Sequence, residues 1–147
     1  MLALESRHNV AKRELSKLRI QRRYIDRLRL QRAQVEADIS LLKGIRYDRD
    51  KVQTSPDGES FSRGVIELME LETEIADRVV EYEMTLTEMV RRVHSLSRPE
   101  YADVLYKLYI EDKTLMQAAE EIGYSYEAMC RIHGRALEEY RIKYIGQ

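Results

Sequence analysis

The stretch Thr114–Arg141, TLMQAAEEIGYSYEAMCRIHGRALEEYR, decides how the chain is read. Thr114 stands where an N-cap belongs, and Gln117, three residues on, completes a capping box. Ala118 and Ala119 are small enough for two helices to cross with their backbones close together. Gly123 follows Ile122 at the point where the chain must turn sharply, and glycine tolerates the positive φ of such a turn. Ser125 then caps a second helix that runs on toward the C-terminus. The pattern predicts a helix-turn-helix, the arrangement that lays a helix in the major groove of DNA. Ala118, Ile122, Tyr124, Met129 and Ile132 fall on the expected buried seam, and Ser125, Tyr126, Glu127, Cys130, Arg131 and His133 face outward. The outward set is of types that reach base edges and phosphates. The same pattern builds any helical hairpin, so geometry alone does not assign DNA binding.

Upstream, a brace helix is expected from near Ser97, with Ser97 and Glu100 as a capping box, Pro99 in the first turn, and Tyr101, Val104, Leu105 and Leu108 as its apolar face. Before it lie two long helices. In the first, about 4–42, Leu18, Ile25 and Ile39 recur in steps of seven beside Leu28, Val35 and Leu42, with Glu14, Gln21 and Arg32 as interruptions and Gly44 as the expected end. In the second, about 62–94, Leu68, Ile75, Tyr82 and Met89 form one row, and Val65, Val79, Leu86 and Val93 the other. Residues 43–63 between them read as a loop around Ser55-Pro56-Asp57-Gly58. Residues 1–52 hold 14 Lys and Arg against 7 Asp and Glu, and residues 53–96 hold 4 against 10, so the two helices are matched to pair as an antiparallel hairpin or across subunits. The expected fold is therefore all-α: a long, coiled-coil-like helical hairpin over residues 1–96, for oligomerisation or partner contacts, then a three-helix helix-turn-helix module over 97–147.

The run RPEYADVLYKLYIEDKTLMQAAEEIGYSYEAMCRIHGRALEEYR, Arg98–Arg141, resembles region four of bacterial sigma factors. The resemblance rests on an L-x-x-L-Y run at Leu105–Tyr109, the acidic pair Glu111 and Asp112, an A-x-x-I-G turn at Ala119–Gly123, and R-A-L-E at Arg135–Glu138. RIHGRALE, Arg131–Glu138, resembles more closely the small sigma-like regulators of Gram-positive phages and prophages, including the ArpU-like late-gene regulators, and YDRDKVQTSPDGES, Tyr47–Ser60, resembles a segment of such phage proteins. The resemblance implies a sequence-specific transcriptional regulator, a late-gene activator working with host RNA polymerase. It further implies an accessory factor rather than a complete sigma factor, since the chain leaves no room for a second promoter-reading module.

Composition limits the alternatives. Charged residues make up 35%, Trp is absent and Pro scarce, a balance that favours long helices over sheet. One cysteine excludes an internal disulfide framework and fits a reducing cytoplasm. No stretch reaches the ~20 apolar residues that cross a bilayer, and the scattered charges of the first residues do not read as a signal peptide. His8, His94 and His133 lie far apart and without metal-ligand spacing, and the carboxylates between Glu67 and Glu83 read as a solvated face. No phosphate-cradling glycine loop or nucleophile elbow occurs, so neither an enzyme nor a cofactor is expected. Cys130, beside Arg131, reads as a small packed or half-exposed residue rather than a redox sensor.

Ser125, Tyr126, Glu127 and Arg131 are the expected base readers, Glu127 accepting from a cytosine amino group and Arg131 donating to guanine. Lys113, Thr114, Arg135 and Arg141 are the expected phosphate contacts. Residues 97–147 carry 7 cations against 9 anions, so a single module should bind weakly, with a homodimer through the long helices or RNA polymerase supplying the rest. Two other functions fit the same elements: a phage DNA-packaging protein like a terminase small subunit, and a coiled-coil adaptor or anti-factor that grips protein instead of DNA.

Overall fold

The computed structural model describes residues 2–48 and 56–146, and every described element is helical. Helix α1 spans Leu2–Leu15, α2 Lys17–Asp48, α3 Pro56–His94, α4 Pro99–Leu105, α5 Leu115–Ile122 and α6 Tyr126–Tyr140. Two π-helical turns extend α4 and α6, over Tyr106–Ile110 and Arg141–Ile145. No described helix is long and apolar enough to cross a membrane.

The long helices differ from expectation at their ends. The single helix expected over 4–42 divides at Ser16, although the backbone ladder carries on across it: the Ser16 N–H donates to Lys12 (2.8 Å) and the Ile20 N–H to Ser16 (3.2 Å). Gly44 does not end α2, which runs on to Asp48. Pro56 opens α3, where its missing N–H costs nothing. The expected 43–63 loop therefore narrows from both sides, and its remaining residues, 49–55, lie outside the described ones.

The chain forms two compact units, residues 1–21 with 82–147, and residues 22–81. The division falls inside α2 and α3 rather than at residue 96. In the first unit Ala11, Leu15 and Leu18 are fully buried together with Val93, Val104, Leu105, Ala118, Met129, Ala136 and Tyr140. Burying a leucine side chain contributes about 1.5–3 kcal/mol, so Leu15 and Leu18 tie the N-terminal segment firmly to the C-terminal helices. The capping box expected at Ser97 is absent. Arg98 occupies the cap position with no side-chain bond, and the Ser97 N–H donates instead to the Glu139 carboxylate (3.1 and 3.2 Å). That bond ties the start of α4 to α6, which a local box could not do. The end of α6 also returns to α3: the Lys143 ammonium donates to the Ser95 carbonyl (2.6 Å), the Ser95 and Tyr144 hydroxyls are bonded, and the Arg92 guanidinium lies 5.0 Å over the Tyr144 ring.

The second unit is two helical segments sharing one seam. Leu28, Val35, Leu71 and Ile75 are buried in it, with Tyr24, Ile39, Leu68 and Val79 half-buried beside them. The Tyr24 hydroxyl donates to Glu74 (2.8 Å), and the Arg78 guanidinium stacks 4.7 Å over the Tyr24 ring. At the other end Gly64 faces Ile39 so closely that a Cβ would lie 3.0 Å from Ile39 Cγ1. Residue 24 thus opposes 74–78 and residue 39 opposes 64, so the segments run antiparallel.

Candidate nucleic-acid interface

Helix α5 begins with the capping box read from the sequence. The Gln117 N–H donates to Thr114 Oγ1 (3.2 Å), and the Thr114 N–H donates to Gln117 Oε1 (3.0 Å). It ends at Gly123, whose φ of 87° lies in the left-handed region, with the N–H groups of Gly123 and Tyr124 both returning to the Ala119 carbonyl (2.9 Å each). Ser125 caps α6, its Oγ accepting from the Ala128 N–H (3.1 Å). Ala118 and Met129 are fully buried and Ile122, Tyr124 and Ile132 half-buried, as the seam required.

One outward assignment is wrong. His133 is 9% exposed and packs into the core, with its Nε2 2.8 Å from the Tyr109 hydroxyl. It shares the buried face of α6 with Met129, Ala136, Leu137 and Tyr140, all at steps of three and four. Burial, followed by the nearby Lys12 and His8 charges, lowers its pKa to about 4, so the ring is neutral at ordinary pH. Burial likewise pushes Tyr109 up to about 12.

The expected base readers are all exposed at the start of α6. Ser125, Tyr126, Glu127 and Arg131 face solvent, and Tyr126 is 55% exposed. The neighbouring Cys130 thiol, one turn on, raises the pKa of the Tyr126 hydroxyl. Among the described residues Arg131 and Arg135 make no ion pair, and they hold the side of the helix opposite His133 and Ala136.

The expected phosphate contacts separate into two kinds. Thr114 and Arg135 are exposed. Lys113 and Arg141 are engaged within the fold. Lys113 Nζ lies 2.6 Å from the Glu121 carboxylate and 3.0 Å from that of Glu111, and Lys107 completes the cluster at 2.8 Å from Glu121. The bonds from Lys107 and Lys113 lower the Glu121 pKa. Arg141 grips Glu138 with two nitrogens (3.1 and 2.8 Å) and donates to the Gly146 carbonyl (3.0 Å). With Lys143 bonded to Ser95, only Arg131 and Arg135 are unengaged among the late cations Arg131, Arg135, Arg141 and Lys143.

The preceding turn has its own signature, invisible in local sequence. The Glu111 N–H returns to Tyr106 (3.0 Å), the Lys113 N–H to Lys107 (3.0 Å), and Asp112 takes a φ of 57°. Asp112 Oδ1 sits 2.6 Å from Arg19 Nε, an ion pair whose N–H is not aligned for a hydrogen bond. A short-chain aspartate tolerates the left-handed region better than most residues. Sequence reading also missed Met116, which is 72% exposed on α5. Its place one turn before Ala119 and Glu120 offered no warning, because methionine is ordinarily a core residue. No group of three or more His, Cys, Asp or Glu side chains among the described residues is arranged to hold a metal ion.

No protein-family model matches the sequence, and neither a curated protein nor a solved structure matches the chain.

Proposed function

We propose that the protein is a sequence-specific DNA-binding transcriptional regulator of the phage or prophage kind, acting with host RNA polymerase on late genes in the bacterial cytoplasm. In this reading α5, the Gly123 turn and α6 act as a helix-turn-helix of the sigma-region-four type, and the first half of α6 enters the major groove. The observation that carries it is the row Ser125, Tyr126, Glu127, Arg131 and Arg135, exposed and free of ion pairs on a helix whose other side is locked into the core. Arg131 is suited to guanine, Glu127 to a cytosine amino group, and Thr114 and Arg135 to phosphates. Lys113 and Arg141 serve phosphates only by giving up Glu121 and Glu138, so they are secondary.

Arg135, the one unengaged cation assigned to phosphate, sets a number. Neutralising Z phosphates gives a salt slope of about −0.9Z, hence about −1 for one copy. So shallow a slope accompanies weak binding, and a second copy or the polymerase must add the remainder.

Selection of bound DNA from a random pool, then mobility shifts on the selected site, tests the reading. Arg131→Ala should weaken binding about 10- to 100-fold and relax preference at one base pair. Arg135→Ala should weaken all sequences alike and reduce the salt slope by about 1. The reading fails if no DNA is selected, or if binding ignores salt and folded Arg131→Ala and Tyr126→Ala bind like the parent. A second reading, a DNA-packaging oligomer, is favoured by the opposed outer faces of the 22–81 unit described next.

A further inference from the structure

Each helical segment of the 22–81 unit carries on its outer side an exposed row, mostly apolar on α3 and mixed on α2, that the unit's own seam does not use. On α3, Ile66, Met69, Thr73, Ala76 and Val80 follow one another at steps of three and four, the spacing of a coiled-coil seam. All five are exposed, Ile66 at 56%, Met69 at 61% and Val80 at 57%. At about 100° per residue they fall on the side of α3 away from Leu71 and Ile75. The acidic residues Glu70, Glu72 and Asp77 border the row, exposed and without ion pairs among the described residues. On α2, Arg23, Arg27, Leu30, Gln34, Ala37 and Leu41 keep the same alternating steps of three and four. This row too is exposed, with Leu30 at 72% and Leu41 at 64%, and it lies away from Leu28 and Val35. Arg23 makes no ion pair, and Arg27 lies only over the Tyr24 ring (5.5 Å).

Two exposed rows of the same repeat, one bordered by acidic residues and one headed by two arginines, are an unusual surface for a monomer. We propose that they are the two halves of one interface between copies: the outer row of α3 in one molecule seats on the outer row of α2 in a second molecule. Charge selects this pairing. Two α3 rows packed antiparallel about residue 73 would bring Glu70 against the partner's Asp77, and like charges oppose such a symmetric dimer. Pairing α3 with α2 offers those carboxylates the exposed Arg23 and Arg27, against which only Asp26 on that end of the α2 face is of like sign. Since the rows occupy opposite sides of a two-helix unit, the contact is head-to-tail, and association continues past two copies, into a ring where the rotation closes and an open chain where it does not. The inference does not rest on DNA binding.

The test is sedimentation velocity and light scattering on the full chain across the micromolar range, at low and high salt. The weight-average mass should rise past two copies at low salt and fall at high salt. Glu70→Lys with Asp77→Lys should abolish association, and so should Arg23→Glu with Arg27→Glu, while each variant alone keeps the parent's helical signal and melting behaviour. Mixed in equal amounts, the two variants should associate again, because each supplies the face that the other has reversed. A monomer at every concentration overturns the proposal. So does association that survives Arg23→Glu with Arg27→Glu, the result expected of an α3–α3 dimer.

Discussion

The unit of residues 1–21 with 82–147 and the unit of residues 22–81 are built partly from the same two helices, yet they stabilise themselves by different means. In the first, segments from both ends of the chain enclose Leu15, Leu18, Val104, Leu105, Met129 and Leu137, all essentially without exposure. Several of its charges pair with one another, as in the Lys107–Glu111–Lys113–Glu121 cluster and the Arg141–Glu138 fork. In the second, two helices share one seam whose buried members keep 5–7% exposure, and each helix presents its outer side to solvent. Two helices have only one mutual face, so a pair cannot surround a side chain as a layered core does. One unit is complete by itself, and the other has surface to offer.

Removing the same side chain from each core should separate them most. Leu137, on α6, is 1% exposed in the core of the first unit, and Leu71 is 5% exposed in the two-helix seam. Leu137→Ala should cost about 4 kcal/mol, because the packed surroundings cannot close the hole. Leu71→Ala should cost about 2–3 kcal/mol, because two helices free on their outer sides can approach one another. Denaturant unfolding followed by circular dichroism, with amide exchange assigning the loss to each unit, gives both values. Equal costs would mean that the two cores are equally rigid.

Acid should divide the units next. Among the described residues His133 is the only strongly buried histidine, and residues 22–81 contain none. Its pKa falls from the ordinary 6.5 to about 4 on folding. The unfolded chain therefore binds a proton between those values that the folded chain refuses, and stability present above pH 6.5 is lost as pH drops toward 4. The full effect approaches about 3 kcal/mol, with about 2 kcal/mol gone between pH 7 and pH 5. Amide exchange at the two pH values should show α4–α6 loosening while the 24–39 and 64–79 segments hold. His133→Gln should remove the slope in that window; a slope that persists would place its origin elsewhere.

These contrasts also show what the sequence could and could not convey. Thr114, Gln117, Gly123 and Ser125 were legible because capping and turning are local: each residue's role depends on neighbours within four positions. The apolar rows of the long helices were legible for the same reason. For His133 polarity and period disagree: its polarity argues for solvent, but its spacing from Met129, Ala136, Leu137 and Tyr140 puts it on the inner face. The Ser97 box failed because a carboxylate 42 residues away, Glu139, satisfies that N–H. Nothing near Ala11, Leu15 and Leu18 announces that they pack with residues beyond 100, since closure between remote segments leaves no local periodicity. The engagement of Lys113 and Arg141 was hidden likewise: sequence counts cations but does not say which already have partners.

Two glycines give the smallest and sharpest version of the comparison. Both Gly44 and Gly123 were read as helix ends, and a Cβ added at either meets nothing within 4 Å. Packing is thus equal, and only the backbone differs. Gly123 has a φ of 87°, so Gly123→Ala must strain an L-residue into the left-handed region and should cost about 1–2 kcal/mol, weakening any DNA complex through the displaced α6. Gly44 lies inside α2, where glycine is about 0.5–1 kcal/mol worse than alanine, so Gly44→Ala should stabilise that segment by up to that amount. The signs are opposite because a glycine ends a helix only when the following residues supply a turn and a new start. Tyr124 and Ser125 do so after Gly123. After Gly44 the helix simply continues, and thermal melts of the two single variants, shifting in opposite directions, would show it.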